Sequence, residues 1–178
     1  MIQTERLVLR PIEARDRNPL MAMLTDPLVM RDLVRHPTRE AARASIDRHV
    51  AYRTSHGLGF WTAELDGFVA GLCGLKPGAP NTPIAGEVEI GWLLARPFWG
   101  QGLATEAARA SLDWAWANTP APRVVAITGA GHVKSQDVMV RLGMARLPNG
   151  DFEHPLHAAG DPLRASVTFA IDRPRLTN

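Results

Sequence analysis

The residues best placed to do chemistry lie in one short run, Trp99-Gly100-Gln101-Gly102-Leu103-Ala104-Thr105. Its two glycines precede an apolar stripe at helical spacing, in which Leu103, Ala104, Ala107, Ala108, Leu112 and Ala115 recur on one face. The first N–H groups of a helix have no partner within it, and the helix dipole adds partial positive charge there, so such a loop suits an approaching phosphate. Glycine serves this purpose because a Cβ would obstruct the approach to the bare backbone. The same glycines would also serve a plain tight turn from strand to helix, and a short glycine motif does not decide between the two.

Other runs carry less. Gly129-Ala130-Gly131-His132-Val133-Lys134 follows a strand-like segment and opens a helical one, as a dinucleotide-binding loop does. The third glycine of that fingerprint is missing and alternating parallel units do not extend along the chain, which leaves a dinucleotide-binding enzyme as an alternative on an incomplete motif. The histidines at 36, 49, 56, 132, 154 and 157 show no paired spacing with Cys or Glu, so no metal is expected. Cys73, the single cysteine, cannot form an internal disulfide and reads as a small buried hydrophobe.

Local patterns supply the elements that must position these residues. Leu7 and Leu9 alternate with Arg6, Val8 and Arg10 in an opening strand. Asn18 before Pro19 and Asp26 before Pro27 predict short helices over 19–24 and 27–33. Thr38 caps a third helix, with Ala42, Ile46 and Val50 inward and Gly57 at its end. Runs 60–65 and 68–75 around Asp66-Gly67 predict a hairpin, since a two-residue type I′ turn needs positive φ at both positions. A loop over 76–86 leads to a strand over 87–94, a helix over 103–118, a strand over 123–127 and a helix over 133–142 stopped by Gly143. A strand-like run near 144–147, a polar excursion over 151–162 and a last strand over 165–171 close the chain. The succession predicts a mixed α/β (α+β) fold, a mostly antiparallel sheet of six or seven strands flanked by helices, in one domain spanning 1–178.

With 178 residues, 46% hydrophobic and 21% charged, the chain has the composition of a soluble globular protein. Its 20 basic and 18 acidic residues are interspersed and leave a net charge of only +2, so no nucleic-acid partner is expected. No run approaches the roughly 20 apolar residues of a membrane span, and no charged leader precedes an apolar stretch. These features, with the lone cysteine, predict a cytoplasmic protein without a membrane partner. The last strand, if exposed, would offer an edge for a homodimer.

The motifs taken together resemble one family. Val88-Glu-Ile-Gly-Trp-Leu-Leu ahead of Trp99-Gly-Gln-Gly-Leu-Ala-Thr-Glu-Ala, with Arg141-Leu-Gly-Met after it, resembles the GNAT N-acetyltransferase superfamily. Thr4-Glu-Arg-Leu-Val-Leu-Arg, Asp26-Pro-Leu-Val-Met, Phe152-Glu-His-Pro and Pro162-Leu-Arg extend the likeness over nearly the whole chain, towards the ribosomal-protein (RimJ/RimL-type) branch.

That resemblance implies a sheet whose fourth and fifth strands splay apart, with acetyl-coenzyme A entering the gap as co-substrate. Its pyrophosphate would rest on Trp99 to Thr105, and backbone groups near Leu93 and Leu94 would pair with its pantetheine arm and polarise the thioester. The implied activity is acetyl transfer to a primary amine, either a protein N-terminal α-amine or a small-molecule amine, by general acid/base catalysis. If strand alternation holds, Glu89 reaches the cleft and takes the amine's proton; otherwise it faces solvent. Ser135, in the first turn of the helix after the fifth strand, stands where the branch has a serine that protonates the thiolate; such a serine also serves as a helix cap. His132 replaces the family's usual asparagine beside the coenzyme, and Ser166 and Phe169 stand where histidine and tyrosine are expected on the acceptor side. The acceptor side would be built from residues 27–34 and 151–162. A catalytically silent acyl-coenzyme-A-binding module is the alternative these departures suggest.

Overall fold

Residues 1–33 and 38–175 are described by a computed structural model of the chain. In chain order the elements are β1 (Ile2–Gln3), β2 (Leu7–Arg10), α1 (Arg17–Leu24), α2 (Arg39–His56), β3 (Gly59–Leu65), β4 (Phe68–Pro77), β5 (Val88–Leu94), α3 (Leu103–Asn118), β6 (Arg123–Gly129), α4 (Val133–Arg141), β7 (Ala145–Arg146), β8 (Phe152–Glu153) and β9 (Ala165–Asp172). The strands form one sheet in the order β1-β2-β3-β4-β5-β6-β9-β7, with β8 also on β9. Every neighbouring pair is antiparallel except β5 and β6. The described strands number nine rather than six or seven because β1 and β8 are two-residue strands, too short to leave a period in the sequence, whereas the run near 144–147 forms β7.

Local chemistry explains the main elements. Asp66 and Gly67 take φ of 51° and 82°, as the tight turn between β3 and β4 requires. Thr38 caps α2 by accepting a hydrogen bond from the Ala41 amide at 3.1 Å, and Gly57 ends it at φ 66°. Side chains alternate across the sheet with period two. On one face Trp61, Ala63, Cys73, Leu75 and Ile90 pack against α3 and α4; on the other Phe60 and Leu72 pack against α1 and α2. The result is a helix–sheet–helix sandwich with a core on each side of the sheet.

Four expectations change. The segment after Asp26 is a turn rather than a helix over 27–33, because the Asp26 carboxylate accepts the Leu28 amide at 2.9 Å and ties the chain into a side-chain turn. Residues 34–37, with Val34 and His36, lie outside the described residues. The inward stripe of α2 is Ala42, Ile46 and His49; Val50 is exposed. The loop after β4 sends Ile84 into the core against Val125 and Ala170. Finally, β9 is an interior strand, held by β6 on one side and by β7 and β8 on the other, so it offers no free edge for a homodimer.

Candidate functional site

The glycine run is held from both ends. After β5, a short turn over Arg96–Phe98 carries the chain outward, and the Trp99 indole Nε1 donates back to the Leu94 carbonyl at 2.7 Å. Gly100 and Gly102 both adopt left-handed φ, 74° and 79°, and Gly102 is the N-cap of α3. The first helical bond is donated by Glu106 to the Gly102 carbonyl at 3.1 Å, so the amides of Leu103, Ala104 and Thr105 precede it. A Cβ on Gly100 would meet nothing within 4 Å, so it is the left-handed φ and not a clash that calls for glycine there. The Gln101 side chain is turned away, donating to the Pro97 carbonyl at 2.9 Å, which leaves that residue's backbone to the loop.

Two arginines, not anticipated from the sequence, complete this cradle. A groove of about 580 Å³ is lined by Gly100, Gly102 and Thr105 together with Glu5, Glu106, Arg109 and Arg141. Arg109 also donates to the Arg141 carbonyl at 2.6 Å, tying α3 to α4. Glu106 would oppose an anion here, but Arg6 pairs with it at 2.6 Å and Thr4 donates to it at 2.6 Å. Burial works to raise the Glu106 carboxyl, yet the Thr4 and Arg6 hydrogen bonds hold it below the usual carboxylate range. Its charge is thus spent within the protein, and the groove keeps its two arginines beside the single carboxylate of Glu5.

The parallel pair β5 and β6 opens beside this loop. Only Val88↔Val124 and Glu89↔Val125 are in register; beyond them the strands part. Bonds from Ala95 to Ala70 (2.9 Å) and from Gly78 to Glu87 (2.8 Å) set the phase of the β4–β5 ladder. Odd-numbered residues of β5 therefore bond β4 and even-numbered ones face β6. The expectation for Leu93 is thereby corrected: its backbone is committed to Leu72, and it is Trp92 and Leu94 whose amides project into the gap.

Glu89 sits at the closed end of the splay, opposite Val125. It does not face solvent, being 5% exposed, and its carboxylate is ion-paired with Lys76. Burial pushes its carboxyl above the usual range, with Lys76 and the Ala79 amide opposing. Ser135 is buried in the first turn of α4, where no side-chain capping bond forms and the cap position belongs to His132. Capping therefore does not account for the serine. Lys134, between them in sequence, places its ammonium 5.7 Å from the centroid of the Trp99 ring, across the mouth of the splay.

A larger groove, about 910 Å³, is lined by Arg31 and Asp32, by Gly129, Gly131 and His132, and by residues 156–163. The structure brings His132 to this groove rather than to the glycine loop, and it brings neither Glu89 nor Ser135 to its lining. Both acceptor-side segments singled out in the sequence meet here. Ser166 and Phe169 do not: both are buried, Phe169 in the core against α3 and α4.

The remaining candidates are structural. Cys73 is fully buried against Ser111, and burial pushes its thiol up to about 12, too high to serve as a nucleophile. Among the described residues no three His, Cys, Asp or Glu side chains gather as metal ligands, and no helix is long and apolar enough to cross a membrane.

Comparison with known proteins places this architecture. The acetyltransferase (GNAT) domain family matches residues 6–145. The uncharacterized protein YkkB of Bacillus subtilis (strain 168) is 31% identical over 144 residues, covering 79% of this chain and 83% of that protein. An acetyltransferase from Agrobacterium tumefaciens superposes with a TM-score of 0.78 at 26% identity, over 96% of this chain and 92% of the other. RimL, a ribosomal-protein α-N-acetyltransferase solved in complex with coenzyme A, shares the fold with a TM-score of 0.76 at 17% identity, over 95% of each chain.

Proposed function

This chain belongs to the GNAT acetyltransferase family, and on that premise we propose that it takes the acetyl group from acetyl-coenzyme A and passes it directly to a primary amine. The acceptor is a protein N-terminal α-amine or a small-molecule amine. The observation that carries this reading is the glycine loop at the mouth of the β5–β6 splay. Leu103, Ala104 and Thr105 amides there precede the first helical bond, and Arg109 and Arg141 stand beside them. These groups would hold the pyrophosphate, and the amides of Trp92 and Leu94 would receive the pantetheine arm and the thioester carbonyl. Ser135 would protonate the departing thiolate. Glu89 would move protons only through Lys76, which covers it. RimL, with its bound coenzyme A and its protein α-amine, supports both the co-substrate and the amine class. One domain over residues 1–178, working in the cytoplasm without a metal, completes the reading.

The test is release of free thiol from acetyl-coenzyme A in the presence of a tripeptide with a free α-amine, spermidine or an aminoglycoside. Amine-dependent release is expected for at least one class. Tight coenzyme A binding without release on any amine would indicate a silent binding module, and a melting temperature raised by NAD instead of coenzyme A would indicate a dinucleotide enzyme.

A further inference from the structure

The geometry points to His132 as the general base that takes the proton from the incoming ammonium. This rests on the acetyl-transfer reading and adds to it a proton acceptor that touches the acceptor groove.

Position comes first. His132 lines the larger groove together with Asp32, whereas Glu89 is covered by Lys76 and lies outside that lining. The ring is also held: its Nδ1 lies 3.2 Å from the Thr128 hydroxyl on β6, and its amide donates to the Gly129 carbonyl at 2.9 Å. In the tautomer whose Nδ1–H donates to Thr128, Nε2 carries the free lone pair that a base requires. Ser135 follows three residues later in the first turn of α4. One helix start thus carries both a group to accept the amine's proton and a group to give one to sulfur.

Charge supports the role. Asp32 and Arg31 from the segment after α1 and Lys134 from α4 act on the ring by charge, Thr128 from β6 hydrogen-bonds it, and His157 and Asp161 also line the groove. Burial lowers the imidazole below its ordinary range, Asp32 opposes this, and Arg31 and Lys134 reinforce it, so the ring is neutral at pH 7. Arg31, paired to Asp32 at 3.0 Å, holds that carboxyl below its usual range, so the charge of Asp32 is met within the protein and the imidazole is left as the groove's proton acceptor.

The ammonium gives one proton to His132 Nε2, and the freed nitrogen lone pair attacks the thioester carbonyl. The C–N bond forms, the C–S bond breaks, the second nitrogen proton is lost as the amide forms, and the thiolate gains one proton through Ser135. One proton remains on His132 and leaves to solvent.

The experiment measures thiol release against pH, with the same three amines, for wild type, His132→Asn and Glu89→Gln, beside an NMR titration of the His132 imidazole and direct coenzyme A binding. Asparagine is a favourable N-cap, so the variant keeps α4. His132→Asn is expected to lose kcat by about 100-fold or more, to lose the acid limb of the profile, and to bind coenzyme A as before. Glu89→Gln is expected to keep that limb, and the imidazole to titrate below about 6.5. A rate and acid limb that survive His132→Asn, or an imidazole still protonated at neutral pH, overturn the base while leaving acetyl transfer intact. Wild-type protein that binds coenzyme A yet releases no thiol with any of the amines overturns both.

Discussion

Lys134 and Trp99 meet across the mouth of the splay, the ammonium 5.7 Å from the ring centroid, while the same indole donates to the Leu94 carbonyl at 2.7 Å. One aromatic residue therefore links the glycine loop, β5 and α4. Trp99→Phe keeps a ring for Lys134 but removes the hydrogen bond, worth about 1 kcal/mol. Coenzyme A affinity is expected to fall about fivefold by calorimetry; an unchanged Kd would detach the indole from the site.

Gly102→Ala tests the loop's backbone. A Cβ there would come no nearer than 3.6 Å to the Arg6 guanidinium, so the cost is the left-handed φ of 79° and not a clash. That strain is about 1–2 kcal/mol, which lowers the melting temperature by about 2–8 °C. A variant as stable as wild type would show that the loop has relaxed, and coenzyme A binding should then fall instead.

Ser135→Ala separates catalysis from capping. A capping serine lost to alanine costs about 1 kcal/mol, but no side-chain capping bond forms at this end of α4. Thermal stability should stay at the wild-type value while turnover drops on the order of 100-fold with coenzyme A affinity retained. Wild-type turnover would remove Ser135 from the mechanism.

His49 gives the protein an acid-sensitive core. Burial, aided by Lys76 and Arg48, lowers its imidazole to about 3, and its Nδ1 is buried without a hydrogen-bond partner among the described residues. The folded protein binds this proton less readily than the unfolded chain does. The contribution is therefore fully present above the unfolded pKa of about 6.5 and is lost as pH falls from there towards 3. Between pH 7 and pH 5 this amounts to about 2 kcal/mol. His49→Phe, which preserves stacking on Phe60 at 4.1 Å, should match wild type at pH 7 and melt about 4–8 °C higher than it at pH 5. Parallel melting curves at both pH values would refute this.

Arg10 neutralises Asp16 and Glu64 inside the fold, bonding Asp16 at 2.7 and 2.8 Å, and Asp16 also accepts the Thr62 hydroxyl at 2.9 Å. Arg10→Met strands a carboxylate that is fully buried and should cost about 3–5 kcal/mol, on the order of 10 °C in melting temperature. A loss below 1 °C would mean that water reaches Asp16 in the variant.

What could be read from the sequence was local. The hairpin followed from Asp66-Gly67 because two consecutive positive φ angles exclude most other residues, and α3 followed from a stripe that begins just after Gly102. Asp26-Pro27 misled because one aspartate can start a helix or close a side-chain turn, and only the Leu28 amide shows which. His49 was missed because a titratable residue breaks an apolar stripe, although it packs like one of its members. The site's long-range parts left no local mark. Arg6 and Glu106 are 100 residues apart, and Asp32 comes near enough to act on the charge of His132 only because the sheet returns the chain there.

The two-rung contact between β5 and β6 divides the sheet into an N-terminal block, β1 to β5, and a C-terminal block, β6 to β9, seamed at one end only. A pantetheine arm hydrogen-bonded to Trp92 and Leu94 would act as a surrogate strand along the open part of that seam. Occupancy and cohesion would then be a single quantity. Amide exchange should slow as coenzyme A is added, along β6, which borders the seam, and also along β9, which does not, and the stiffness of the protein would report the ligand it carries.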